Sequence, residues 1–143
     1  MTMILATAGS PLVSLTEQGT EYEPGVCNIG PAEIARRRRT GHIGLIATIA
    51  LFALLVLLDA PPLLRFIVAL PAAVSAAGYL QAALKFCIAF GSLGVFNFAA
   101  RGTTQHIADR AARARDRMRA LQLSVACAVV GVSVGIVAVL LPV

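Results

Sequence analysis

The chain has 143 residues, of which 58% are hydrophobic and only 13% charged, against about 25% charged in soluble domains. Its mean hydropathy is +0.83, and its apolar residues stand in blocks, so an ordinary soluble domain is excluded and an all-α integral membrane protein is indicated. The net charge of +5 does not point to nucleic acid: ten of the twelve basic residues fall in Arg36–Arg39 and Arg101–Arg119, each against an apolar block and without aromatic interleaving.

Residues 1–26 mix Gly, Ser, Thr, Pro and acids without a period, and are expected to form a mobile tail. Met1 to Val13 is apolar but not led by positive charge, so it does not read as a secretory signal. Residues 27–41 are expected to form a short basic amphipathic helix beside the membrane. Pro31 suits its first position, Glu33 its first turn and Arg36–Arg39 its end. Thr40-Gly41 is expected to loosen the chain before a first span over His42–Leu58. Asp59-Ala-Pro-Pro62 is a strong stop.

Leu63–Ala100 is too long for one simple span. It divides either into two spans broken at Lys85 or into one long span bent near Pro71 or Gly78. Residues 42–100 are therefore expected to form a membrane helical hairpin. Residues 101–143 read as a basic amphipathic helix, capped by Thr103 or Thr104, that continues into the last span, Leu121–Leu141. Asp109 and Arg113 form an i,i+4 pair. Ile107, Ala111, Ala114, Met118, Leu121 and Val125 recur at a/d spacing and mark the expected packing stripe.

Bacterial cytoplasmic loops carry excess Lys and Arg, and a central arginine costs about 2.5–3.5 kcal/mol on insertion scales. One lysine against eleven arginines fits a GC-rich bacterial genome. Three transmembrane helices put ten basic residues inside and only Arg65 outside, with Lys85 near the inner interface; the alternative, four helices, leaves five inside and seven outside. The reading is a multi-pass protein of the bacterial inner membrane with a cytoplasmic N-terminus.

Cys27, Cys87 and Cys127 form no CxxC or zinc spacing, and their odd number argues against a disulfide framework. They are thiol candidates, because neighbouring cations lower a thiol pKa, although an intramembrane cysteine is more often a packing residue. His42 and His106 stand at the membrane edge; no metal or other cofactor is expected. Gly131 and Gly135 form a GxxxG suited to close helix packing, within the chain or between copies. Gln81 and Asn97 each need a partner.

Residues 78–98, GYLQAALKFCIAFGSLGVFNF, together with Arg36–Gly44, carry a resemblance. Gly78, Phe86, Cys87 and Gly94 match the end of the small two-helix membrane domain attached to bacterial inner-membrane rhodaneses, and the basic run before Gly44 matches its beginning. Ile88 stands where that domain has proline, and Lys85 where it has a small residue. The resemblance implies a self-associating helical hairpin and two spans before residue 100. It does not imply sulfur transfer, because Glu33 occupies the position six residues after Cys27 where a rhodanese loop closes on arginine.

No Walker loop, HExxH, Gly-x-Ser-x-Gly or paired carboxylates occur, and no charge lies mid-span, so neither an enzyme nor a pump is indicated. The function expected is that of a small non-enzymatic membrane protein, a homo-oligomer or an accessory subunit of an inner-membrane complex. Arg36, Arg37, Arg38, Arg39, Arg110, Arg113 and Arg117 would meet anionic lipid headgroups or a partner. The alternative is a membrane thiol or sulfur-handling module using Cys27 and Cys87.

Overall fold

The computed structural model describes residues 22–98 and 104–143. Among these residues three helical stretches are long and apolar enough to cross a membrane: Pro31–Leu57, Pro62–Ala83 and Arg110–Leu140. The first, α1 (Pro31–Leu57), fuses the expected basic segment and first span into one helix of 27 residues. Thr40-Gly41 does not interrupt it. The Thr40 hydroxyl donates back to the Arg36 carbonyl at 3.2 Å, and Gly41 is instead a point of helix contact.

α1 ends in a tight reversal. Asp59 takes a left-handed conformation, φ 48°. The Ala60 and Asp59 amides close back on the Leu55 and Val56 carbonyls at 2.9 and 3.1 Å, the paired bonds of a Schellman end. Pro61 and Pro62 then start a 3-10 segment, Pro62–Val68, that leads directly into α2 (Ala69–Ala83).

The long bent helix expected over 63–100 is not formed. α2 stops at Ala83 because Lys85 is left-handed, φ 52°, and the Phe86 amide bonds the Gln81 carbonyl at 3.1 Å. This is a second Schellman end, with Phe86 turned inward and fully buried. Beyond it the chain makes only a short helix α3 (Ile88–Leu93) and a strand β1 (Val95–Phe96), which pairs antiparallel with β2 (Gln105–His106).

The last helix, α4 (Arg110–Leu140), starts at residue 110 rather than 101. Asp109 caps it, accepting from the Ala111 and Ala112 amides at 3.1 and 3.0 Å. Of the threonines expected to cap, Thr103 lies outside the described residues and Thr104 precedes β2. Asp109 is therefore engaged with backbone rather than paired with Arg113.

α2 lies between α1 and α4, antiparallel to both, and the contacts are made by small residues. A Cβ at Gly44 would stand 2.6 Å from the Ser75 nitrogen, and the Ser75 hydroxyl donates to the Gly41 carbonyl at 2.9 Å. On the other side, a Cβ at Gly131 would stand 2.6 Å from the Ala69 carbonyl oxygen, and one at Gly135 would stand 2.9 Å from the Phe66 ring. The GxxxG is thus engaged within the chain.

The expected a/d stripe does not form the packing face. α4 buries Ala112, Asp116, Ala120, Leu123, Cys127, Gly131, Gly135 and Ala138, while Met118, Leu121 and Val125 stand 57%, 59% and 54% exposed. Ile107 is buried but precedes the helix. Small residues on this face let the helix backbones approach closely, and the large apolar side chains are left on the outer surface. The order is inverted relative to a soluble helix.

Candidate functional site

The antiparallel order brings the N-terminal ends of α1 and α4 to the same end of the bundle as the C-terminal end of α2. Arg36–Arg39 and the arginines from Arg110 to Arg119 therefore share one end. There the non-helical segments fold into a polar head. Asn28 is its centre: fully buried, it accepts from the Cys87 amide at 2.7 Å and donates to the Cys87 carbonyl at 3.2 Å. Its own backbone takes a hydrogen bond from the Asn97 amide at 3.0 Å and gives one to the Lys85 carbonyl at 3.2 Å. One asparagine thus ties the entry to α1 to both segments that follow α2.

Asp116 anchors the other side. It is fully buried and accepts from the Gly25 amide at 2.6 Å and the Tyr22 hydroxyl at 3.1 Å. Tyr22 in turn stacks on Phe96, ring centroids 4.8 Å apart. Burial, then the Asp116 charge, push the Tyr22 hydroxyl up to about 12. Residues 22–26, expected to belong to the mobile tail, are therefore part of the head; residues 1–21 lie outside the described residues. Neither Asn28 nor Tyr22 was marked by the sequence. Asp116 carried a signal, since it continues the small-residue seam Ala112, Ala120 at spacings of four.

The thiol candidates are dispersed. Cys27 is half-buried, its thiol pushed up by burial, and its sulfur lies 3.8 Å from the Ile29 carbonyl. Cys87 is fully buried, with the Arg37 Nη2 group 2.9 Å from its sulfur. Cys127 is buried on the packing face of α4. All three are free thiols.

Of the first cluster, Arg37 points into the head, and Arg36, Arg38 and Arg39 are exposed. Glu33 is buried beneath them, 3.8 Å from Arg36 and 3.9 Å from Arg37. Lodged in the first turn of α1, its charge complements the helix dipole. His42 contacts the Tyr79 hydroxyl at 2.6 Å, whereas His106 is exposed on β2. Among the described residues no group of three or more His, Cys, Asp or Glu side chains is arranged to hold a metal.

Arg110, Arg113 and Arg117 come together with Ala114, Met118 and Leu121 on one exposed face of α4, around an open groove of about 580 Å³. The remaining basic side chain of note is at the far end. Arg65 is buried, donating from Nε to the Ala60 carbonyl at 3.2 Å and from Nη1 to the Leu141 carbonyl at 3.3 Å. It closes the ends of α1 and α4, where helix dipoles favour a cation.

The polar groups expected to need partners have them. Gln81 donates to the Ala77 carbonyl at 3.0 Å and accepts from the Ile88 amide at 3.0 Å. Asn97 belongs to the head, where it is buried and its backbone carbonyl accepts from the Gly30 amide at 2.8 Å. Of the residues that carried the resemblance, Gly78 packs on Gly41, Phe86 and Cys87 are buried, and Gly94 is left-handed, φ 69°, beneath the Arg113 stem. Comparison with protein-family models, curated proteins and solved structures gave no match.

Proposed function

We propose that this chain is a small non-enzymatic integral membrane protein of the bacterial inner membrane. Its three long helices span the bilayer, and the arginine-bearing head lies on the cytoplasmic side. It acts as a homo-oligomer or as an accessory subunit of a larger membrane complex. The observation that carries this reading is the inverted burial of its helices: small residues meet inside, and large apolar side chains such as Ile43, Ile46, Leu70 and Val129 are 59–68% exposed. Such a surface is stable only against lipid or other membrane helices.

The positive-inside bias supports the orientation, because Arg36–Arg39 and the arginines from Arg110 to Arg119 occupy one end and, among the described residues, Arg65 is the one basic side chain at the other. An assembly role is supported by an apolar groove between α1 and α4, about 190 Å³, lined by Ile49, Phe52, Val134 and Val137 among others. The likeness of residues 36–98 to the rhodanese-attached membrane domain adds self-association to the proposal. Since Gly131 and Gly135 are engaged within the chain, oligomer contacts would use the large apolar outer face instead.

The second reading, a thiol or sulfur-handling module, is favoured by the Arg37–Cys87 contact. Full burial of Cys87 and the raised Cys27 thiol weigh against it.

Membrane fractionation followed by mild-detergent purification and mass measurement of the intact particle tests the main reading. A detergent-requiring particle with several copies, or with a stoichiometric companion, is expected. Release by alkaline carbonate, or a monomer with no companion, would contradict it.

A further inference from the structure

We infer that the groove on α4 framed by Arg110, Arg113 and Arg117 is a binding site for one anionic phospholipid of the leaflet the head faces. The inference rests on the membrane reading above and adds a ligand to it.

The argument is the order of chemistry along one helical face. Residues 110, 113, 114, 117, 118 and 121 follow the i, i+3, i+4 rule and project together. The three guanidinium groups come first, then the exposed Met118 and Leu121, and the same face continues through the exposed Val125 and Val129. At 1.5 Å per residue, Arg110 to Leu121 spans about 16 Å. Charge at one end and hydrocarbon at the other, with the Ser124 hydroxyl between them turned back onto the Ala120 carbonyl at 2.8 Å, is the order met along a phospholipid from phosphate to acyl chain.

Guanidinium forks suit phosphate oxygens. The opposite face of this turn is committed to the head through Ala112, Asp116 and Ala120, all buried. Among the described residues no carboxylate pairs with Arg110, Arg113 or Arg117, whereas Arg36 and Arg37 both pair with Glu33. An acidic protein surface would complement the arginines but would leave Met118, Leu121 and Val125 without a counterpart. A free phosphate would likewise use only the upper half of the groove.

Native mass spectrometry of the full chain in mild detergent tests this with phosphatidylglycerol, phosphatidylcholine of the same acyl chains, and glycerol phosphate as probes. Retention of phosphatidylglycerol is expected to exceed that of phosphatidylcholine by about tenfold or more, since each basic group near the phosphate plane contributes. Glycerol phosphate in excess should not displace it. The triple variant Arg110→Gln, Arg113→Gln, Arg117→Gln should abolish the preference, whereas Arg115→Gln with Arg119→Gln, neither of which lines the groove, should keep it. Because the Arg113 stem covers Gly94, the double variant Arg110→Gln, Arg117→Gln serves where the triple does not fold, and should lose most of the preference.

Equal retention of the two lipids, equal loss in the Arg110→Gln, Arg117→Gln and Arg115→Gln, Arg119→Gln doubles, which remove the same charge, or displacement by glycerol phosphate would overturn the site. Carbonate extraction of the wild type reports separately on the membrane reading.

Discussion

Gly78 of α2 lies directly against Gly41 of α1: a Cβ on Gly78 would stand 2.6 Å from the Gly41 Cα and 2.7 Å from the Arg37 carbonyl oxygen. Both atoms belong to backbone and cannot rotate away. This crossing sits just below the head, so it fixes the distance between the arginine cluster of α1 and the end of α2 that carries Phe86 and Cys87.

Gly78→Leu should therefore separate α1 from α2. Overpacking of a tight contact costs roughly 1–3 kcal/mol, and the backbone origin of the clash puts this variant at the upper end. Thermal unfolding in detergent checks it, with Ala47→Leu on the exposed face of α1 as the neutral comparison. Gly131→Leu with Gly135→Leu should act in the same way, lowering stability rather than changing the number of copies.

Asp116→Ala should release residues 22–27 from α4. The substitution leaves the Gly25 amide and the Tyr22 hydroxyl without their acceptor, and hydrogen bonds to a charged group are each worth about 1.5–3 kcal/mol. Hydrogen exchange at Gly25 is expected to rise steeply while exchange in the middle of α4 stays slow. Unchanged protection at Gly25 would contradict the anchor.

The Tyr22 hydroxyl ionises at about 12 in the folded chain against 10.0 as its ordinary value. The folded state thus holds this proton more tightly than the unfolded state. The stabilisation is complete below pH 10 and is lost as pH rises from 10 through about 12. Wild type should lose melting temperature over that window, and Tyr22→Phe should lose less. Ultraviolet phenolate difference spectra between the two should place the Tyr22 component near the top of the window.

Cys27 should alkylate more slowly at neutral pH than a free thiol, because burial pushes its thiol up. Cys87 and Cys127, both buried, should react only on unfolding. Rapid single-site labelling of Cys27 in the native protein would instead favour the thiol module.

Much of the fold was legible where chemistry is local. Pro31 and Glu33 mark the start of α1, Asp59-Ala-Pro-Pro62 marks its reversal, and the apolar blocks give the three long helices. The end of α2 was legible only as one of two alternatives: a break at Lys85 stood beside a long bent span, and the left-handed residue is a lysine where glycine would have decided between them. The packing face of α4 was misassigned to Met118, Leu121 and Val125, since a stripe of large apolar residues means core in water and outer surface in lipid. The head was invisible for another reason. Asn28 meets Cys87 across 59 positions and Gly25 meets Asp116 across 91, pairings that no local period encodes.

The central claim is that three helices cross the membrane with both arginine clusters on the cytoplasmic side. A dual reporter after Val143, alkaline phosphatase beside a green fluorescent protein, tests it most directly. Three crossings from a cytoplasmic N-terminal side predict active phosphatase and no fluorescence. Fluorescence with inactive phosphatase would contradict the account.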